Sequence, residues 1–169
     1  MAIHELARRH GTSLSSQRKT RCDEASVRVG GERVVLAVPQ SFMNESGGPV
    51  ASLVSYYKGA ADRLVVLHDE LDIAFMALRT KIGGGDNGHN GLRSIRRSIG
   101  TGDFLRVRLG IGRPPGRQDP ADFVLSAFSS AERRDLPFLL DRAADCVESL
   151  VTAGLERTQS TFNSDPSRE

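Results

Sequence analysis

Apolar positions recur along the chain with helical spacing in some segments and with strand spacing in others. In the opening segment, residues 3, 6, 7 and 10 share one helical face, which predicts a helix that ends near Gly11. Two β-favouring segments, Ala25–Val29 and Glu32–Val38, flank Gly30-Gly31, a dipeptide that permits the positive φ angles of a tight turn. The amino-terminal part is therefore predicted to be a helix followed by a β-hairpin.

The rest of the chain alternates between strand and helix patterns. Pro49 suits the first turn of a helix, and the fully apolar run Leu64–Leu67 predicts a short strand. The later predicted elements are a strand at Ala77–Ile82, a helix from Leu92 to Ile99, a half-buried strand at Phe104–Ile111 with Arg106 and Arg108 outward, a short helix at Ala121–Leu125 and a long amphipathic helix at Ser129–Ala153. Polar residues follow Leu67, and open α/β sheets place their sites at such carboxyl ends of strands.

Composition narrows the class of protein. The 169 residues are 38% hydrophobic and 26% charged, which suits one compact globular domain, expected over residues 1–162 with a disordered tail at 163–169. No apolar run approaches the roughly 20 residues that span a bilayer, and the charged opening segment is unlike a secretory signal. We therefore expect a cytoplasmic location.

The two cysteines, Cys22 and Cys146, have no regular spacing in sequence, which argues for reduced thiols.

The segment 77–117 is strongly basic. It contains nine Lys or Arg residues against only Asp86 and Asp103, although the net charge of the whole chain is +2. Such segregation can attract a polyanion such as RNA, but charge alone favours the alternative, a solvated basic face.

A glycine-rich loop occupies residues 83–91, where five of nine positions are glycine. Glycines let a backbone approach a ligand closely, and His89 and Asn90 add side chains that bind polar substrates. The loop lacks the Lys-Ser/Thr pair of a Walker motif and the spacing of a dinucleotide fingerprint. A purely structural turn is the alternative interpretation.

The segment 39–47 offers a second group of candidate residues. The amide of Asn44 could hold a substrate carbonyl, and Phe42 could stack on a base or a ribose. Asn44 or Ser46 could instead satisfy the free amides of the helix that begins near Pro49. Spacing alone does not separate binding from helix capping.

Polar groups around Asp69 allow three interpretations. His68, Asp69, Asp72 and His89 could form a metal site, but no metal-ligand spacing such as H-E-x-x-H is present, so the metal hypothesis is the weakest. Asp69 could orient a histidine that acts as a general base, or it could be a structural carboxylate.

Four segments together resemble the bacterial peptidyl-tRNA hydrolase family. They are P-Q-S-F-M-N-E-S-G at 39–47, V-L-H-D-E-L-D at 66–72, K-I-G-G-G-D-N-G-H-N-G at 81–91 and F-L-R-V-R-L-G-I-G-R-P at 104–114. The resemblance implies an α/β fold with a mixed, twisted sheet between helices. It further implies a monomer that binds peptidyl-tRNA without a metal or other cofactor and cleaves the ester between peptide and tRNA.

The resemblance also implies a role for each matching residue. Asp69 matches the aspartate that holds a histidine in its basic form, and Asn44 and Asn90 match asparagines that position the peptide and the tetrahedral oxyanion. Phe42 matches an aromatic substrate contact, and His89 matches the neighbour of the second asparagine. Lys81, Arg106 and Arg108 match positions that meet tRNA phosphates.

The sequence departs from the family pattern in its first residues and at two glycines. It contains no G-L-G-N-P-G-x-x-Y-x-x-T-R-H-N, so we expect an N-terminally truncated fold without the first strand and the catalytic-histidine loop, and His4 does not replace that histidine. Met76 and Asn87 stand where the family usually has glycine. The primary hypothesis is a peptidyl-tRNA hydrolase. A catalytically inactive RNA-binding relative and a hydrolase of another ester are the alternatives.

Overall fold

The computed structural model describes residues 1–114 and 116–163, which form an alternation of helices and strands. The helices are α1 (Ala2–Arg9), α2 (Gly47–Tyr56), α3 (Asn90–Ile99), α4 (Pro120–Val124), α5 (Ser130–Ala153) and α6 (Leu155–Phe162). The strands are β1 (Ser15–Gln17), β2 (Cys22–Val29), β3 (Glu32–Pro39), β4 (Val65–Glu70), β5 (Leu78–Ile82) and β6 (Leu105–Gly110), and 3₁₀ turns lie at Met43–Glu45 and Ala61–Arg63.

The predicted amino-terminal helix and hairpin are confirmed. Strands β1, β2 and β3 form an antiparallel sheet in that order, with Val29 opposite Glu32 at the turn. Gly30 and Gly31 have φ angles of 58° and 89°, values that strongly favour glycine. Strand β1 was not predicted, because its three residues are all polar.

The second sheet has the strand order β4-β6-β5 and is mixed. The bonds from the Leu105 N–H to Leu64 O (3.0 Å) and from the Ile111 N–H to Glu70 O (3.1 Å) advance together along both strands, so β4 and β6 are parallel. The Gly83 N–H donates to Phe104 O, and the Gly110 N–H donates to Ala77 O. Residue numbers therefore rise along one strand as they fall along the other, so β5 and β6 are antiparallel. The predicted α/β class with a mixed sheet is confirmed.

Contacts within the chain define two compact units, each with its own buried residues. The first contains Ile3–Val66 and Ile82–Arg106, and its buried residues include a cluster of Val50, Leu92, Ile95 and Phe104. The second contains Leu67–Lys81 and the described residues from Val107 onward. In this second unit α5 buries one face, which carries Leu136, Leu139, Ala143, Ala144, Cys146, Val147 and Leu150.

The long carboxyl-terminal helix begins with a capping box. The Ser129 hydroxyl accepts from the Glu132 N–H, and the Glu132 carboxylate accepts from the Ser129 N–H, which fixes the start of α5 where the sequence predicts it. Helix α6 is followed by Asn163, whose side-chain amide pairs with the Thr80 N–H and C=O at 2.6 and 3.0 Å. Asn163, predicted as the first residue of the disordered tail, is therefore anchored, while 164–169 and Pro115 of the predicted loop lie outside the described residues.

Met76 and Asn87, which stand where the family usually has glycine, both adopt left-handed backbone conformations. Their φ angles are 73° and 49°. A side chain in this region costs about 1–2 kcal/mol, less for asparagine, because Cβ approaches the following carbonyl. Both residues therefore adopt a backbone conformation that favours glycine.

Burial accounts for the chemistry of the two cysteines. Cys22 and Cys146 are free and fully buried, one in each compact unit. Burial raises the pKa of the Cys22 thiol to about 11 and that of the Cys146 thiol to about 12. Both side chains are therefore protonated at neutral pH, and the predicted reduced thiols are confirmed as free cysteines.

Among the helices in the described ranges, none has the length and apolar character needed to cross a membrane.

Candidate functional site

The 3₁₀ turn after β3 presents an aromatic ring and an amide to solvent. Phe42 precedes this turn and is 81% exposed. Asn44 lies within the turn and is also exposed. The Glu45 N–H donates to Phe42 O at 2.9 Å, and the Ser46 N–H donates to Met43 O at 3.2 Å. These backbone bonds fix the turn without using either side chain.

Helix capping does not explain the polar residues of this turn. Helix α2 begins without a side-chain cap, and the Ser46 hydroxyl donates back to Met43 O at 2.8 Å. The Gly47 N–H at the start of α2 donates instead to Ser94 Oγ at 3.0 Å. In the described part of the chain, the Asn44 side-chain amide makes no hydrogen bond and stays available to a ligand.

The glycine-rich loop is folded by its own hydrogen bonds. Asp86 accepts from the Gly88 N–H at 3.1 Å through its side chain and from the His89 N–H at 2.8 Å through its carbonyl. The Gly88 N–H and the neighbouring Arg93 and Arg96 hold the pKa of Asp86 below its usual range. The loop is thus a defined turn that ends at the start of α3.

His89 caps the helix that follows the loop. Its Nδ1 accepts from the Leu92 N–H at 3.2 Å, so the neutral ring carries its proton on Nε2. Asn90 is the first residue of α3 and is exposed. Its side-chain amide hydrogen-bonds nothing among residues 1–114 and 116–163.

A close contact brings the two asparagine-bearing segments together. Met43 Cγ lies 3.0 Å from the position that a Cβ would take on Gly91, so a larger residue there would require the Met43 side chain to shift. Asn44 follows Met43 in sequence, and Asn90 precedes Gly91. We call Phe42, Asn44, His89 and Asn90 the amide cluster. It combines amide donors and acceptors with an exposed aromatic ring.

The predicted carboxylate Asp69 lies in the second unit and within a strand. We predicted the strand to end at Leu67, but β4 continues to Glu70, because Glu70 O accepts from the Ile111 N–H at 3.1 Å. Asp69 is half-buried between the buried residues His68 and Glu70. His68 Nδ1 lies 2.8 Å from Asp69 O, so this nitrogen donates to the backbone. Among the described residues, no group of three or more His, Cys, Asp or Glu could hold a metal ion.

The expectation that Arg106 points outward is wrong. Arg106 is 1% exposed, and its guanidinium donates to Gly85 O at 2.6 Å, to Gly84 O at 2.8 Å and to Gly102 O at 3.3 Å. These carbonyls occupy the donors that a phosphate would need. Arg106 and Arg108 therefore do not form the predicted outward basic face.

Arg108 and Lys81 are both partly accessible in the second unit. Arg108 donates from Nε and Nη2 to Glu70 Oε2 at 3.2 and 3.0 Å, and the two side chains are 18% and 9% exposed. Lys81 is half-buried near the end of β5. The phosphate role of these two residues stays a prediction.

Other basic residues of the segment 77–117 surround a shallow pocket in the first unit. Arg93 and Arg96 lie 3.4 and 3.5 Å from the Asp86 carboxylate oxygens, and with Arg97 they line a space of about 290 Å³. Arg93 and Arg96 therefore have an acidic neighbour within the loop.

Comparisons with known proteins converge on one family. The sequence model described as peptidyl-tRNA hydrolase matches residues 1–169. The chain is 60% identical to the peptidyl-tRNA hydrolase of Frankia casuarinae over 163 residues, which cover 96% of this chain and 82% of that protein. It is 55% identical to the enzyme of Kineococcus radiotolerans over 170 residues, covering 96% and 85%.

Solved structures agree with the sequence relatives. The crystal structure of peptidyl-tRNA hydrolase from Acinetobacter baumannii superposes with a TM-score of 0.88 at 31% identity, covering 96% of this chain and 83% of that one. A single-residue mutant of that enzyme gives a TM-score of 0.89 with the same coverage. The family match from residue 1 gives no support to the expected truncation and missing histidine loop, and no comparison supports the binding-only alternative.

Proposed function

Because the chain belongs to the peptidyl-tRNA hydrolase family, we propose that its amide cluster binds the ester that joins peptide to tRNA. The family reaction is hydrolysis of this ester, which releases free tRNA for translation. The observation that carries the assignment to the cluster is the pair of exposed amides, Asn44 and Asn90, on segments held together at Met43 and Gly91. The monomeric state and the cytoplasmic location stay predictions.

Each member of the cluster has a chemical task in this proposal. The Nδ2 groups of Asn44 and Asn90 donate to the peptide and to the ester carbonyl, which gains negative charge as water attacks. The ring of Phe42 stacks on a base or ribose at the 3′ end of the tRNA, where bases are unpaired. His89 fixes the helix start that presents Asn90, through its bond from Leu92. The cluster thus supplies electrostatic stabilisation and orientation.

Asp69 supplies an orienting carboxylate in the same proposal. A carboxylate that accepts from an imidazole N–H stabilises the protonated ring, and so raises the pKa of a histidine base. The half-burial of Asp69 on β4 suits a carboxylate with a fixed direction.

Asp69→Asn is expected to lower kcat/KM and to move the acid limb of its pH profile to lower pH, because a neutral amide no longer favours the protonated base. Initial hydrolysis rates between about pH 5 and 9 measure both effects. Asp72→Asn is the control, since Asp72 is exposed and paired with Arg113. An unchanged rate and profile for Asp69→Asn would identify Asp69 as a structural carboxylate.

Lys81 and Arg108 are proposed to contact tRNA phosphates, because both lie in the basic segment and keep some solvent access. Lys81→Ala should weaken tRNA binding and reduce the slope of log affinity against log salt by roughly one unit or less, as one phosphate contact is lost. Binding titrations at several salt concentrations measure this slope. Arg28→Ala, an exposed arginine of the hairpin outside the basic segment, should leave it unchanged. Equal slopes for Lys81→Ala and the parent chain would contradict the phosphate role.

A further inference from the structure

Arg106 is a buried cation whose hydrogen bonds end on the glycine-rich loop. It is 1% exposed, and its two terminal nitrogens reach three carbonyls, on Gly84, Gly85 and Gly102. The guanidinium carbon also lies 4.8 Å from the centre of the Phe104 ring, which belongs to the core of this unit. The side chain therefore connects the core to the first half of the loop.

The loop conformation leaves these carbonyls in need of a donor. Gly83 and Gly84 have φ angles of 68° and 92°, a backbone that side chains rarely adopt, and the carbonyls of Gly84 and Gly85 lie beyond the end of β5. A planar guanidinium with several fixed donors can satisfy diverging carbonyls at once, whereas a lysine ammonium cannot match this fork. Arginine is thus the residue type that this loop requires.

The loop connects the carbonyls that Arg106 binds to the amide cluster. Asp86 follows Gly85 directly and accepts from the Gly88 and His89 N–H groups. His89 in turn accepts from the Leu92 N–H and so sets the first turn of α3, where Asn90 lies. A shift of Gly84 and Gly85 would therefore be transmitted to Asn90.

We propose that Arg106 is a positioning residue: its guanidinium clamps the carbonyls of Gly84, Gly85 and Gly102 and thereby fixes where the loop presents Asn90 to the substrate. This inference rests on the proposed function of Asn90. It assigns to Arg106 a task in the reaction without contact with tRNA, in place of the phosphate contact expected from the sequence.

The first test uses hydrogen exchange in the Arg106→Lys chain, which keeps the buried charge but loses the fork. The Leu92 and His89 amides should exchange at least about tenfold faster, because a charge-assisted hydrogen bond restrains the loop. Amides of the β2–β3 hairpin, in the same compact unit, should keep their rates. Unchanged loop exchange, or an equal increase in the hairpin, would overturn the proposal, since the latter indicates general destabilisation.

The second test is a double-mutant cycle on kcat/KM with Asn90→Ala. Arg106→Lys alone should lower kcat/KM about tenfold. When Asn90→Ala is already present, the same substitution should lower kcat/KM by less than about twofold, because the clamp acts through Asn90. In the Asn44→Ala background the full loss should remain. An equal loss in all backgrounds would overturn the proposal. If Arg106→Lys speeds loop exchange but the parent chain does not cleave peptidyl-tRNA, the clamp is supported and the proposed function is rejected.

Discussion

Asn90→Ala should lower kcat/KM for hydrolysis of peptidyl-tRNA by about 100- to 1,000-fold, the loss typical of removing one oxyanion-stabilising donor. Asn90 is exposed, and its amide serves no other residue in the described ranges, so the fold should be unaffected. Initial rates at substrate concentrations well below KM measure the effect. The tRNA affinity should change little, because the amide acts mainly on charge that develops during attack.

The matched control for this prediction is Asn87→Gly in the same loop. Asn87 is exposed like Asn90, but its φ angle of 49° favours glycine, so the substitution relieves strain instead of removing a substrate contact. Hydrolysis by Asn87→Gly should stay within about twofold of the parent rate. Equal hydrolysis rates for Asn90→Ala and Asn87→Gly would show that Asn90 does not take part in the reaction.

Arg108→Met should lower the free energy of unfolding by about 3 kcal/mol, because it leaves the Glu70 carboxylate buried without its cation. Both Arg108 donors end on Glu70 Oε2, and the Glu70 side chain is only 9% exposed. Urea titration followed by circular dichroism measures the change. Adding Glu70→Gln to Arg108→Met should restore part of the lost stability, since it removes the unpaired charge.

An exposed pair in the same compact unit provides the comparison. Arg113 and Asp72 also form an ion pair, but their side chains are 68% and 47% exposed. Arg113→Met should therefore cost less than about 1 kcal/mol, because water solvates the remaining carboxylate. A similar small cost for Arg108→Met would show that water compensates Glu70 equally well.

Features encoded by neighbouring residues could be predicted from the sequence. The Gly30-Gly31 turn needs positive φ angles that glycine supplies, and the capping box of Ser129 and Glu132 joins residues three apart. Alternating and helical patterns located most of the strands and helices for the same reason. Helix α6 was not predicted, because Leu155–Phe162 is mostly polar.

Features set by distant contacts could not be predicted. The β6 pattern suggested that Arg106 points to solvent, but its partners Gly84 and Gly85 lie 22 and 21 residues away in sequence. Similarly, the sequence alone allowed Asn44 to be either a helix cap or a ligand contact. The Gly47 N–H at the start of α2 donates to Ser94, which lies 47 residues away and could not be foreseen as its partner. The sequence proposed the residues of the amide cluster, and the structure excluded helix capping as the role of Asn44.

The measurement that tests the central claim most directly is the release of tRNA from N-acetylaminoacyl-tRNA by the full chain and by its Asn44→Ala/Asn90→Ala variant. Both proteins should bind tRNA, because the predicted phosphate contacts lie outside the amide cluster. The parent chain should release tRNA, and the variant should do so at least about 100-fold more slowly. Equal release by the two proteins, or no release by the parent chain, would contradict the assignment of ester hydrolysis to this cluster.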